Sequence, residues 1–148
     1  MKKCIVCLLM ILLSGCVATG PSFTKIIELE DDGSAIYLYR PSTIVNSGMA
    51  PDVYINGVKY SKLNDGGYQV YNLEPGSYQV VIDGNLLTWF HGRSEVNVNL
   101  LERQTVYIRL GDHVGDVSGF GFAVTGAIFT EVDESLAKKE LMDTKLSM

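Results

Sequence analysis

Short strand patterns separated by turn residues run from residue 34 to residue 110, and no other feature restricts the fold of this chain as much. Residues 94–100 and 104–110 are the clearest, because apolar and polar side chains alternate along them. Between two earlier patterns stands Asn56-Gly57, a pair typical of a two-residue hairpin turn with positive φ at both positions. Short strands at this spacing predict a mainly β fold, either an antiparallel β-sandwich or a small barrel.

The periodicity changes near the end of the sequence. Asp133 is a suitable N-cap, and Leu136, Ala137 and Leu141 form one apolar stripe at helical spacing. We therefore expect one C-terminal amphipathic helix at about residues 133–143, packed against the sheet.

Two further segments allow more than one assignment. Residues 25–30 fit either a first strand or a short helix. Residues 111–129 contain five glycines and end in the most apolar run outside the N-terminus. We expect a buried strand bent at its glycines there; the alternative is a flexible segment that contacts a partner or the bilayer.

The first residues have the layout of an export signal. Lys2 and Lys3 precede an apolar run of nine residues, 5–13, and small residues follow it. A helix needs about 20 apolar residues to span the hydrocarbon core of a bilayer. The run is therefore too short for a stable transmembrane anchor.

The end of this run, Leu13-Ser14-Gly15-Cys16, resembles the lipobox of bacterial lipoproteins. The resemblance implies cleavage between Gly15 and Cys16 and a thioether-linked diacylglycerol on Cys16. In many bacteria it also implies acylation of the new amino group.

Cleavage at this site would leave a chain of the size of one domain. The expected organisation is a removed signal peptide at 1–15, the lipidated cysteine with a tether at 16–33, and a single β-rich domain at 34–145. The other two cysteines lie in the part that is removed, so the mature chain keeps Cys16 alone and forms no internal disulfide.

The charge of the chain excludes one class of partner. The net charge is −5 at pH 7 and becomes −7 when Lys2 and Lys3 leave with the signal. Nucleic-acid binding depends on Lys and Arg that neutralise phosphates, so we expect no nucleic-acid partner. Attachment to a membrane would rest on the lipid, since two acyl chains suffice for stable anchoring.

Three motifs together resemble an uncharacterised domain family of bacterial lipoproteins. They are Tyr37-Leu38-Tyr39-Arg40-Pro41, Val53-Tyr54-Ile55-Asn56-Gly57 and Leu73-Glu74-Pro75-Gly76-Ser77-Tyr78. The resemblance covers about residues 34–145, and the middle part is also similar to PEGA-type modules, which are small β domains. It implies a β fold and a place in the cell envelope, and it supplies neither a catalytic residue nor a cofactor.

Few residues of this sequence point to catalysis. Asp112, His113 and Asp116 are the one local cluster of metal-ligand types, and in a glycine-rich stretch such side chains are usually solvated. The glycines of Gly119-Phe120-Gly121-Phe122 lack the preceding strand and following helix of a phosphate-binding loop. We expect no catalytic residue, no metal and no cofactor, and a protein that is not an enzyme.

Five residues are the candidates for an interaction surface: Tyr37, Tyr39, Arg40, Trp89 and Phe90. The two tyrosines share one strand face, which either packs half-buried or binds a sugar or peptide. Arg40 fits a buried ion pair better than a ligand clamp. Trp89 and Phe90 either contact a partner or lipid from a loop tip or belong to the core.

These patterns favour a lipid-anchored envelope lipoprotein with an accessory or scaffolding role and an envelope protein as its partner. The alternative is a small-ligand or glycan-binding module that uses the tyrosine face. Val17, not Asp, follows Cys16, which implies the periplasmic side of the outer membrane in a host with two membranes. In a host with one membrane, the domain would lie outside the cytoplasmic membrane.

Overall fold

Two β-sheets packed face to face form the frame of the molecule. The computed structural model describes residues 16–29, 33–44, 46–117 and 121–148, without the side chains of 113–117 and 121–125. Within these residues the strands are β1 (Ser34–Arg40), β2 (Asp52–Ile55), β3 (Val58–Lys62), β4 (Gly67–Leu73), β5 (Gly76–Asp83), β6 (Ser94–Leu100), β7 (Thr105–Val117), β8 (Gly121–Val132) and β9 (Lys145–Leu146). One helix, α1 (Glu134–Leu141), lies between the last two strands. The predicted mainly β sandwich with one C-terminal helix is confirmed.

The strand order corrects one detail of that prediction. One sheet has the order β8-β7-β1-β4-β9 and the other β3-β2-β5-β6. β1 pairs in parallel with β7, and β4 with β9, so the five-stranded sheet is mixed rather than antiparallel. The chain leaves this sheet after β4, forms β5 and β6 in the other sheet, and returns. Because each of these steps reverses its direction, β7 runs the same way as β1.

The space between the sheets is filled by aliphatic side chains from both of them. β1 contributes Ile36 and Leu38, and β6 contributes Val98 and Leu100. Asn97 and Asn99 on the opposite face of β6 are exposed, as the alternation of this strand predicts. Period-2 alternation therefore places the main core where we expect it.

The outer face of the five-stranded sheet carries a second core. Tyr37 and Tyr39 of β1 and Tyr107 of β7 lie there, and they pack against Ala137 and Leu141 of α1. The helix is capped as predicted, because the carboxylate of its N-cap, residue 133, accepts hydrogen bonds from the next backbone N–H groups. The predicted range of 133–143 is slightly too long, since the helix spans 134–141.

The segment predicted to be a free tether is instead packed on the domain. The Ala18 N–H donates to the Asp65 carbonyl at 3.0 Å, and the Phe23 N–H donates to the Thr144 carbonyl at 2.9 Å. Ala18 and Phe23 are only 2% and 6% exposed. Residues 16–23 therefore pack on the domain that we expected to begin at residue 34, and Phe23 belongs to the second core.

Residues 25–29 form neither a strand nor a helix, so both assignments for this stretch are wrong there. Glu30, like the predicted signal peptide at 1–15, lies outside the described residues.

The glycine-rich stretch at 111–129 is not the single buried strand that we expected. It is divided between β7 and β8, which pair in an antiparallel hairpin with a register shift between His113 and Val114. Ile128 is 41% exposed, because β8 is an edge strand of its sheet. Residues 118–120 between the two strands lie outside the described residues.

The hairpin at Asn56-Gly57 is confirmed. Ile55 pairs with Val58, and the two residues between them have φ values of 49° and 79°. This is the geometry of a two-residue turn that matches the twist of the flanking strands.

Candidate functional site

A buried arginine organises the end of the sandwich at which β1 ends. Arg40 is 2% exposed, and its guanidinium donates to the carbonyls of Asn46 at 2.8 Å and Met49 at 2.6 Å. Its Nη2 lies 3.6 Å from Asp65 Oδ1, and its Cζ lies 5.2 Å from the ring centre of Trp89. Burial lowers the pKa of Arg40, and the nearby Asp65 opposes that effect. The buried ion pair favoured for Arg40 is confirmed.

Asp65, the partner of Arg40, connects this network to the N-terminal segment. Its carboxylate accepts hydrogen bonds from the Ser42 hydroxyl at 2.8 Å and the Thr43 N–H at 3.1 Å. Its backbone N–H donates to the Cys16 carbonyl at 2.9 Å. The pair of Arg40 and Asp65 therefore fixes the position of Cys16 as well as that of the loop after β1.

A second polar group lies beside the first. The Asn46 side-chain amide contacts Asp112 Oδ1 at 2.9 Å and His91 Nε2 at 3.1 Å. An amide N–H₂ can only donate, so His91 Nε2 is the acceptor in this arrangement. Burial also lowers the pKa of His91, in agreement with a neutral ring. The Thr43 hydroxyl donates to Asp112 Oδ2 at 2.8 Å, and these contacts join the loops after β1 and β5 to strand β7.

The predicted tyrosine face is not a surface. Tyr37 and Tyr39 are fully buried, because α1 and the N-terminal segment cover them. The Tyr37 hydroxyl accepts a hydrogen bond from the Ile27 N–H at 2.7 Å, and the Tyr39 hydroxyl donates to Glu140 Oε2 at 2.7 Å. The expectation that they bind a partner is therefore wrong, since both hydroxyls are used within the fold.

Of the other three candidates for the interaction surface, two are buried and one is exposed. Arg40 and Trp89 are buried and cannot form an exposed surface, since one holds the loops and the other fills the end of the core. Phe90 is 45% exposed, with its ring centre 4.0 Å from that of His91. Of the five predicted residues, only Phe90 lies at the surface.

A carboxylate on α1 joins the helix to the sheet. Glu140 Oε2 accepts hydrogen bonds from Tyr39 and, at 2.8 Å, from Arg109 Nε. Burial alone would raise the pKa of Glu140, but these two donors hold it below its ordinary value. Burial and the bond to Glu140 both raise the pKa of Tyr39. These groups stabilise the packing of α1.

A shallow polar groove crosses the outer face of the four-stranded sheet. Its lining is rich in amides and consists of Asn56, Ser77, Tyr78, Gln79, Asn97, Val98 and Asn99. The Ser77 hydroxyl donates to Asn99 Oδ1 at 3.1 Å. Such a lining offers hydrogen-bond donors and acceptors, and alternation alone did not identify it.

The described part of the chain gives two further facts about the site. It contains no group of three His, Cys, Asp or Glu side chains that could hold a metal ion. It also contains no helix that is long and apolar enough to cross a membrane. The side chains of His113 and Asp116, which belong to the predicted cluster, lie outside the described residues.

No local sequence pattern identifies Asp65 or Asn46 as part of this network. Asp65 stands in a turn pattern, and a carboxylate in a turn is usually solvated. Its burial depends on Arg40, 25 positions earlier in the chain. Asn46 has a φ of 64°, a conformation that Asn tolerates better than most residues, but a lone Asn is a weak signal.

Comparison with known proteins gives one family. No curated protein matches the chain. The model of a family described as a protein of unknown function, DUF2846, matches residues 30–120. This match includes β1 to β7, together with Arg40, Asp65 and Trp89. Because the match extends over more than half of its length, the chain belongs to the DUF2846 family.

Proposed function

We propose that this protein is a lipoprotein of the cell envelope, anchored by lipid on Cys16, and that it acts as a non-enzymatic accessory or scaffolding domain. The observation that carries the proposal is the run Leu13-Ser14-Gly15-Cys16 after a short apolar segment. Cleavage before Cys16 would free the amino group of a residue whose carbonyl is bonded to the Asp65 N–H.

The surroundings of Cys16 are compatible with this role. Its carbonyl accepts a bond from Asp65, while its side chain is free and only partly buried. Backbone bonding leaves the sulfur available for a thioether. A lipid on this sulfur would therefore leave the domain close to the membrane.

The accessory role rests on how the polar side chains are used. The arginine and tyrosines that we considered as ligand-binding groups hold loops, the N-terminal segment and the helix in place. A scaffold of this kind would present its surface to an envelope protein. The resemblance of the sequence to PEGA-type modules and to envelope lipoproteins also supports this proposal.

Mass spectrometry of the N-terminal peptide from the membrane fraction tests the anchor. We expect a peptide that begins at Cys16 and carries diacylglycerol on its sulfur. Cys16→Ala should abolish the modification, whereas Cys7→Ala, in the segment that is removed, should leave it unchanged. An unmodified Cys16 in the mature protein would overturn the proposal.

We place the protein in the outer membrane, facing the periplasm, in a host with two membranes. The support is Val17 after Cys16, since Asp at this position commonly marks retention in the inner membrane. Separation of the two membranes on a sucrose gradient tests this, and Val17→Asp should move the protein to the inner-membrane fraction. Recovery of the unchanged protein with inner-membrane markers would contradict it.

A second candidate function is the binding of a small ligand or glycan. The buried tyrosines cannot serve it, but the amide-rich groove on β5 and β6 could, through its Asn and Gln side chains. Titration of the domain with envelope oligosaccharides, followed by calorimetry, tests this candidate. Asn97→Ala should weaken binding, whereas Asn72→Ala, at an exposed position outside the groove, should not. No heat of binding for any sugar would remove it.

A further inference from the structure

The position of Cys16 is fixed relative to the β-strands. It is bonded through Asp65, which lies in the connection from β3 to β4. The Ala18 N–H donates to the Asp65 carbonyl, so hydrogen bonds to Asp65 hold the chain on both sides of Val17. The anchor residue therefore lies at one end of the sandwich, here called the anchor end.

Two loops lie at this same end. The loop after β1 is held by Arg40 through the carbonyl of Asn46, and Arg40 is paired with Asp65. The loop between β5 and β6 reaches the same arginine through Trp89, whose ring lies over the guanidinium. Strand direction gives the same result, because β1 and β5 both end at the anchor end and β6 begins there.

The most exposed apolar side chains of the described residues lie in these two loops. Ile44 is 98% exposed, Leu87 85% and Leu86 82%, more than any other large apolar side chain in that part of the chain. Phe90, in the second loop, is 45% exposed. Exposed apolar surface concentrated in this way indicates a binding surface rather than scattered surface residues.

Hydrogen bonds within a turn hold Leu86 and Leu87 away from the core. Asn85 Oδ1 accepts hydrogen bonds from the Leu87 N–H at 2.9 Å and the Thr88 N–H at 3.2 Å. The Asn85 carbonyl accepts a bond from the Trp89 N–H at 2.7 Å. The base of the loop is thus fixed by a buried Trp89, and its tip presents Leu86 and Leu87.

We infer that the anchor end lies against the bilayer and that Ile44, Leu86, Leu87 and Phe90 insert into the same leaflet as the lipid on Cys16. This inference rests on the proposed lipid anchor. We assign the bilayer as the surface that these side chains contact, because the acyl chains on Cys16 would hold the anchor end at the membrane. Apolar side chains there would leave water without any need for charge attraction, in agreement with an acidic chain.

The insertion fixes an orientation. β4 and β6 end at the opposite end of the sandwich, so the turn at 101–104 would face away from the membrane. That end is the part of the domain left accessible to an envelope partner.

A single introduced cysteine tests the inference on the full chain expressed and purified from membranes. The lipid would occupy the sulfur of Cys16, so Leu87→Cys would offer one reactive thiol for an environment-sensitive dye. Leu101→Cys is the matched control, because Leu101 lies at the opposite end and is 61% exposed. Each labelled protein is reconstituted in vesicles of phosphatidylethanolamine and phosphatidylglycerol.

We expect the dye at position 87 to emit at shorter wavelength than the dye at 101 and to be quenched by lipids that carry a quencher in their acyl chains. Water-like emission at both positions, with one dye per chain, would overturn this inference alone and leave the apolar loops for a protein partner. More than one dye per chain would show that Cys16 carries no lipid or that the signal is retained, and would overturn the proposed function and this inference together. An unchanged melting temperature confirms that each variant is folded.

Discussion

The two faces of the five-stranded sheet are buried in different ways. On the inner face, Ile36 and Leu38 meet side chains from the strands of the other sheet. On the outer face, Tyr37 and Tyr39 are covered by α1 and by the N-terminal segment, and their hydroxyls need partners. The inner face is mainly aliphatic, and its polar side chains Gln69 and Tyr71 bond to residues of the neighbouring β3. On the outer face, the bonds of Tyr37 and Tyr39 join the sheet to the N-terminal segment and to α1.

The largest expected effect is on the inner face. Leu38→Ala removes a side chain that is fully buried between the sheets, and we expect a loss of about 2–5 kcal/mol in the free energy of unfolding. Denaturant titration measures the loss. Leu101→Ala, at an exposed position, serves as the control and should change little. If both variants lose the same stability, the aliphatic core does not dominate the fold.

A smaller effect is expected on the outer face. Glu140→Gln replaces a carboxylate that accepts from Tyr39 and Arg109 with a neutral amide, and we expect a loss of about 2 kcal/mol. The side chains of Glu140 and Arg109 are 22% and 27% exposed, so solvent weakens the pair only in part. Glu28→Gln, at a side chain that is 95% exposed, is the control.

The same carboxylate makes the outer face sensitive to pH. The pKa of Glu140 is lowered in the folded protein, so its contribution is complete above the unfolded pKa of about 4.3 and is lost as pH falls through the folded pKa. The difference in stability between the unchanged protein and Glu140→Gln should therefore be large at pH 7 and decrease below pH 4. A difference that is constant with pH would contradict the charged pair.

The smallest of the expected effects concerns backbone conformation rather than either core. Gly57→Val forces a β-branched residue to adopt a φ of 79°, and we expect a loss of about 1–2 kcal/mol. Gly48→Val is a matched control, because a Cβ meets nothing within 4 Å at either glycine and only Gly57 has positive φ. Equal melting temperatures for the two variants would mean that the turn tolerates side chains.

What the sequence predicts well depends on neighbouring residues. The alternation of β6, the Asn56-Gly57 turn and the N-cap at Asp133 each depend on a few adjacent positions, and the structure confirms all three. These features are enough to predict a β-sandwich with a C-terminal helix. They also predict that Tyr37 and Tyr39 share a face, though not what covers it.

What the sequence predicts poorly depends on the path of the chain. The parallel pairing of β1 with β7 follows from how many times the chain changes sheets, which no local pattern records. The burial of Asp65 depends on Arg40, and the exposure of Leu87 depends on a loop that is fixed by the buried Trp89. A free tether and a segment that packs on the domain can have the same amino-acid composition. The sequence therefore does not show that residues 16–23 pack on the domain.

The docking of the N-terminal segment affects the order in which parts of the chain can fold. Phe23 bonds to Thr144, and Pro21 to Leu146, so partners about 120 residues apart must meet. Contacts between residues so distant in sequence are among the last that a chain can make. Until the last residues are made, this side of the segment lacks its partners Thr144 and Leu146. Under the proposed lipid anchor, the enzymes that cleave and acylate at Cys16 would therefore meet the segment before it docks.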